Sequence, residues 1–284
     1  MATFYNQATL SYNNTSTNSN IVTGELVEVL SATKSSLSNT YKPGDAITYV
    51  VTINNSGTAP FTGITLSDNL GAYPFGTQTL VPLTYTTGAI MYYINGVLQP
   101  TPTVTGTSPL TITGLSIPAG GTATIIYEAI PNQYAPLGTN ASITNTVTIN
   151  GDTLYNTVTA SHTVNFDTRP ELSINKAISP SSVVENGQIT YTFTIQNTGA
   201  TAAETTDNAS ITDTFNPILS NLAVTYNSTP WTSPTNYTYD TATGVFTTVP
   251  GQITVPAATY SQDAVSGIWS TNPGSSTLVV TGTV

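Results

Sequence analysis

The sequence predicts an all-β chain: two tandem β-sandwiches preceded by an N-terminal β-hairpin whose strands act as donors. Four observations predict it. Thr-, Ile-, Val- and Tyr-rich runs such as "AITYVVTINNSG" (Ala46–Gly57) and "ITYTFTIQNTG" (Ile189–Gly199) alternate apolar and polar residues and break at Asn and Gly. No helical period is sustained over a useful length. The chain also repeats itself: Leu30, Lys34, Tyr49 and Gly57 are matched by Leu172, Lys176, Tyr191 and Gly199, each pair 142 residues apart. Finally, the opening stretch carries a pattern that elsewhere closes a sandwich.

The elements follow in order. Residues 1–26 read as a hairpin: "NQATL" (Asn6–Leu10) matches "NTVTI" (Asn145–Ile149), and "NIVTG" (Asn20–Gly24) matches "NTVTA" (Asn156–Ala160). Residues 27–166 form the first sandwich, closed by that second hairpin, and "FDTRP" links it to the next. Residues 170–284 form the second, in which "GITLSDN" recurs as "ASITDTF" with the spacing from Asp68 to Asp213 stretched to 145. A three-residue insertion in "TAAETTD" accounts for the difference. The second sandwich stops at "TLVVTGTV" (Thr277–Val284), which corresponds to "TATIIYEAI" (Thr122–Ile130), so its closing hairpin is expected to be missing.

A sandwich short of two strands leaves apolar core and backbone N–H and C=O groups unpaired. An isolated hairpin is at best marginally stable in water. Each offers what the other lacks, so the pattern predicts head-to-tail association of copies by strand addition, giving rings or open filaments. Two alternatives stay open: the hairpin decorates the first sandwich, or the phase reflects excision from a longer repeat array.

Composition narrows the function. Charged residues are 6% of the 284, against roughly 25% in average proteins. The four basic ones are Lys34, Lys42, Arg169 and Lys176, and the formal net charge is −10. Nucleic acid and anionic membranes, which need clustered Lys and Arg, are excluded as partners. No apolar run is long enough to insert in a bilayer. There is no cysteine, hence no disulfide, and His162 is the one histidine, so neither a zinc site nor a Ser-His-Asp triad is expected. No carboxylate spacing reads as a calcium loop, and nothing calls for a cofactor. Few basic residues also leave few sites for trypsin-like proteases, which suits a durable extracellular fibre. No basic-then-apolar leader opens the sequence, leaving the export route open and making a spore appendage, assembled in the mother cell, one expected location.

Strand parity places three polar residues on the apolar side of each repeat. Leu30, Ala32 and Lys34 share a face, as do Leu172, Ile174 and Lys176. Ile64 and Leu66 go with Asp68; Ala209 and Ile211 go with Asp213. Asn145 goes with Val147 and Ile149, and Asn6 with Ala8, Leu10 and Tyr12. Asn156 and Asn20 keep the same parity with Val158 and Val22, so parity does not choose between the two sets of Asn. Burying a charge is costly unless it is paired.

The Lys34 and Lys176 positions, "ITYVVTINNSG" and "ITYTFTIQNTG", "LSDN" and "ITDT", and the closing "NTVTI" and "NQATL" resemble the "domain of unknown function eleven" family, a repeat module of bacterial and archaeal surface proteins. The resemblance covers nearly the whole chain. It implies an immunoglobulin-like sandwich, an extracellular structural or adhesive role, and no enzyme activity. The Lys, Asp and Asn sets are similar in type to those of pilin and adhesin sandwiches that form isopeptide bonds. That resemblance implies a link from Lys34 to Asn145 within the chain, promoted by Asp68. It implies another from Lys176 to the incoming Asn6 between subunits, promoted by Asp213, with Asn156 and Asn20 as alternative acceptors. A buried Lys–Asp ion pair capped by Asn, with no bond formed, is the plainer reading of the same residues. The expected function is a structural filament subunit. The alternative is a monomeric adhesin or stalk segment with an unidentified surface ligand.

Overall fold

The computed structural model describes residues 2–26, 29–151, 154 and 156–284. At the front, β1 (Ala2–Asn6), β2 (Thr9–Tyr12), β3 (Thr15–Asn18) and β4 (Val22–Leu26) make one long antiparallel hairpin. Asn13 and Asn14 both take positive φ at its tip, the two-residue turn whose twist suits flanking strands. The register slips by one residue between Asn6 opposite Val22 and Thr9 opposite Asn18. Phe4, Tyr5, Leu10, Tyr12 and Val22 are all exposed.

The first sandwich is built from β5 (Leu30–Ser36), β6 (Thr40–Tyr41), β7 (Ile47–Asn55), β8 (Phe61–Asp68), β9 (Tyr73–Phe75), β10 (Gln78–Leu80), β11 (Leu83–Ile94), β12 (Val97–Leu98), β13 (Thr103–Thr107), β14 (Leu110–Ile117), β15 (Thr122–Pro131), β16 (Ser142–Asn150) and β17 (Val158–Phe166). One sheet has the order β12-β11-β15-β7-β5 and the other β13-β14-β8-β16-β17-β6. Alternation does the packing: along β7, Ile47, Tyr49, Val51 and Ile53 are buried, and along β16 so are Ile143, Asn145, Val147 and Ile149.

The second sandwich comprises β18 (Leu172–Ser179), β19 (Gln188–Asn197), β20 (Thr212–Thr214), β21 (Ser220–Tyr226), β22 (Thr229–Trp231), β23 (Tyr237–Tyr239), β24 (Val245–Thr248), β25 (Thr259–Gln262), β26 (Trp269–Asn272) and β27 (Gly274–Thr283). Its sheet β18-β19-β27-β21-β22 reproduces the first sandwich's five-stranded sheet strand for strand. Its other sheet is only β20-β24-β23, the counterpart of β8-β14-β13. Among the described residues nothing stands where β16, β17 and β6 stand in the first sandwich. A three-residue 3-10 turn, Thr205–Asp207, lies in the segment that stretches the repeat spacing.

The Asn-x-Gly breaks of the repeat prove to be buried pins. Asn55 Nδ2 donates to the carbonyls of Ala59 and Pro118 at 2.8 and 2.9 Å, and Asn197 Nδ2 to those of Thr201 and Pro256 at 2.8 and 3.1 Å. Each satisfies backbone acceptors where the strand ends. Gly199 is obligatory for a second reason: a Cβ there would lie 2.0 Å from the Arg169 carbonyl oxygen of the linker.

The two sandwiches meet at one pole of the first. Tyr260 packs edge-on against Phe166 with ring centroids 5.5 Å apart, the Trp269 backbone N–H donates to the Gln133 carbonyl at 2.9 Å, and Lys42 pairs with Glu171 at 3.1 Å. The hairpin leaves from the other pole, where Leu30 lies opposite Asn55 and Ser56 N–H donates to the Val29 carbonyl. Among the described residues no helix is long and apolar enough to cross a membrane.

Candidate functional site

Three strands bring the first polar set together. β5 carries Lys34 and β8 carries Asp68 on its last residue. β16 lies beside β8, with Val147 opposite Asp68 and Asn145 one inward position further along. Lys34 and Asp68 side chains are wholly buried, and so is Asn145. Lys34 Nζ donates to Asp68 Oδ2 and, at 2.8 Å, to the Tyr127 hydroxyl. Tyr127 in turn donates to Asp68 Oδ2, and Asn145 Nδ2 donates to the Tyr127 oxygen at 3.3 Å. Asn145 Oδ1 is buried with no hydrogen-bond partner.

Aromatic rings wall this cluster. Tyr49 and Tyr127 stack 5.6 Å apart, and Lys34 Nζ sits 4.8 Å and 5.5 Å from their centroids. Burial lowers the Lys34 amine to about 8, against the pull of Asp68 in the other direction. Burial, reinforced by the Asp68 charge, pushes the Tyr127 phenol well above its usual value, and Tyr49 likewise. A poorly solvated amine with a depressed pKa, beside an amide and a carboxylate, is equipped for nucleophilic attack on the amide carbon.

The second set is arranged differently. Lys176 Nζ also donates to Asp213 Oδ2 and lies 4.5 Å from the Tyr191 ring centroid. Here, however, the Lys176 side chain is 40% exposed and that of Asp213 19%. Every residue of β18 is exposed, whereas Leu30 and Lys34 on the matching β5 are buried beneath β17. β20 is the end strand of its sheet, and an open groove of about 190 Å³ between β18, β19 and the segment that leads into β20 is lined by Leu172, Ser173, Ile174, Ile195, Ala209, Ser210, Ile211 and Ile253.

The remaining predicted residues fall as follows. Asn6, Ala8, Leu10, Tyr12 and Val22 lie on the exposed hairpin, and Asn20 is exposed at its register slip. Val22 stands opposite Asn6, whereas Val158 stands opposite Ile149, so the two hairpins do not share the register implied by matching "NIVTG" to "NTVTA". A two-residue turn fixes the front hairpin from its tip, whereas seven residues of sequence separate β16 from β17, so their pairing is not set by a tight turn. Asn156 is exposed ahead of β17, while Asn145 is inside the cluster. Tyr127 was not singled out by sequence. Its inward parity in "TATIIYEAI" was legible, yet a strand tyrosine on the apolar face reads as ordinary core.

No family model matches the chain, and no curated protein matches it. Solved structures that the chain matches include the RrgB pilus backbone from Streptococcus pneumoniae (13% identity, 86% of this chain and 55% of that one, TM-score 0.35). The BcpA major pilin subunit of Bacillus cereus is 11% identical over 90% of this chain and 70% of that one, with TM-score 0.36. A collagen-binding domain from a Staphylococcus aureus adhesin is 17% identical over 47% of this chain and 95% of that one, with TM-score 0.30. The chain spans about half the length of the pilus backbone it resembles.

Proposed function

We propose that the protein is a structural subunit of an extracellular filament. Copies join head to tail when the hairpin β1–β4 of one enters the second sandwich of another and pairs along β20, in the place β16 holds beside β8. The observation that carries this reading is the edge of β20, unpaired among the described residues, beside an exposed apolar face, set against a hairpin whose apolar residues Leu10, Tyr12 and Val22 are exposed. Strand pairing would satisfy the edge, and the apolar residues of both parts would leave water together.

The hairpin's position supports exchange between copies over folding back within one. Three residues separate Leu26 from Leu30, a reach of at most about 14 Å over four Cα steps. The four steps from Leu26 to Val22, opposite Asn6, add about 13 Å, so Asn6 reaches about as far as the junction pole, since β7, which runs between the poles, spans about 26 Å at roughly 3.3 Å per residue, and Lys176 lies beyond that pole in the second sandwich. A connection from one end into the other is heterologous, and a rod of two sandwiches extends it into an open filament.

In this reading covalent bonds lock the filament. Lys34 Nζ attacks Asn145 Cγ, the bond to Nδ2 breaks, ammonia leaves, and a secondary amide remains. Asp68, bonded to Lys34 Nζ, promotes the reaction. In the second sandwich Lys176 and Asp213 await Asn6 of the incoming hairpin, which makes the bond one between subunits. Partners are therefore further copies of the same chain, at a cell or spore surface.

Negative-stain microscopy and sizing of the full chain, beside one lacking residues 1–26, test the assembly. Filaments that disappear on truncation are expected. A chain that stays monomeric in both forms would instead fit a stalk or adhesin segment. Filaments boiled in detergent should retain a ladder of multiples. Complete separation into subunits of unaltered mass would remove the covalent part alone.

A further inference from the structure

The first sandwich's cluster contains a group that the second lacks. Tyr127 faces Tyr49 across β15 and β7; the same place across β27 and β19, opposite Tyr191, is filled by Val280. Both residues are buried. Tyr127 is also the only hydroxyl among the described residues that hydrogen-bonds both nitrogens of the reaction: Lys34 Nζ at 2.8 Å and Asn145 Nδ2 at 3.3 Å. Among those residues no hydrogen bond joins Asp68 directly to Asn145, so the carboxylate reaches the leaving nitrogen through the phenol.

Burial makes this geometry consequential. The departing amide nitrogen must gain a proton to leave as ammonia, and Asn145 at 0% exposure has no bulk water from which to take it. We propose that the Tyr127 hydroxyl is the catalytic proton donor of the first sandwich's cross-linking reaction, and that the second sandwich, with Val280 in its place, reacts without one. The proposal rests on the reading that Lys34 and Asn145 become linked.

The protons balance. As the neutral Lys34 amine adds to Asn145 Cγ, Nζ passes one proton to Asp68 Oδ2. Tyr127 gives its own proton to Nδ2 and takes the one held by Asp68. The Cγ–Nδ2 bond breaks, and ammonia departs. Phenol and carboxylate end as they began, and no oxidant, reductant or cofactor is consumed. A positioned general acid contributes about 10²–10⁴-fold to such a step, which sets the size of the expected effect.

The test follows the full chain made by cell-free synthesis, quenched at intervals, by intact mass and peptide mapping. In the wild type one ammonia should be lost at Lys34 and Asn145. Tyr127→Phe, checked for folding by thermal unfolding, should form the same link at least about 10²-fold more slowly. A wild-type rate in Tyr127→Phe would overturn the role of the phenol and leave the link standing. A wild-type chain of full mass would overturn the link itself. If Tyr127→Phe does not fold, the two sites of the wild type decide. In filaments already assembled, the Lys176–Asn6 link should lag well behind Lys34–Asn145, and equal rates would sink the proposal.

Discussion

An aspartate at position 10, on β2, should prevent assembly, and an aspartate at position 5, on β1 of the same hairpin arm, should not. Both side chains are exposed in the free chain, Leu10 at 62% and Tyr5 at 70%. Aligned on Asn6 and Asn145, Leu10 takes the place of Ile149, which is 0% exposed, and Tyr5 takes that of Thr144, which is exposed. Losing the transfer of Leu10 into the groove costs about 2 kcal/mol. Forcing an unpaired carboxylate into the same position adds several kcal/mol after relaxation. The sum, about 5 kcal/mol, corresponds to between about 10³- and 10⁴-fold in the association constant. Tyr5→Asp should change it less than about tenfold, since that side chain stays in water in either state. Both substitutions belong in an Asn6→Ala background, where association is reversible, and sedimentation against concentration reads the result. Thermal unfolding should be the same for both, because neither residue is packed in the free chain. If the two variants assemble alike, the hairpin does not dock with the parity of β16.

Removing either acid in the cross-link-free Asn145→Ala background should separate the two clusters. Asp68→Ala strands the buried Lys34 ammonium and should cost about 3–5 kcal/mol in urea unfolding. Asp213→Ala, beside the half-exposed Lys176, should cost no more than about 1 kcal/mol. The depressed Lys34 amine also gives a pH signature. The unfolded chain holds its lysine proton up to about 10.4 while the folded chain sheds it from about 8. Stability of Asn145→Ala should therefore rise with pH across that window, until the buried tyrosines, whose protons the folded state retains, reverse the slope. By the same logic the rate of Lys34 cross-linking should climb with pH and level off above about 8, measured by intact mass. Tyr260→Ala removes the ring packed on Phe166 at the junction and should broaden the distance distribution in small-angle scattering; an unchanged distribution would place the rigidity elsewhere.

Much of the cluster was legible because side-chain direction in a strand is a local property. A period of two puts Lys34 with Leu30, Asp68 with Leu66, and Asn145 with Val147, and burial follows without knowledge of the rest. The sequence by itself likewise determined the all-β class, the repeat, and the presence of a stray hairpin at the front. What it could not decide was strand order. That β16 lies against β8, which leaves Asn145 inside and Asn156 in solvent, is set by pairing between segments some eighty residues apart. That Tyr127 reaches Asp68, 59 positions away, depends on two sheets closing over one core. The difference between the sandwiches belongs to the same level. Lys34 and Lys176 have near-identical neighbours in sequence, yet one is sealed and the other half in water, because only the first has β16 and β17 laid over it. Local alternation fixes which way a side chain points; only the assembled layers fix what it meets there.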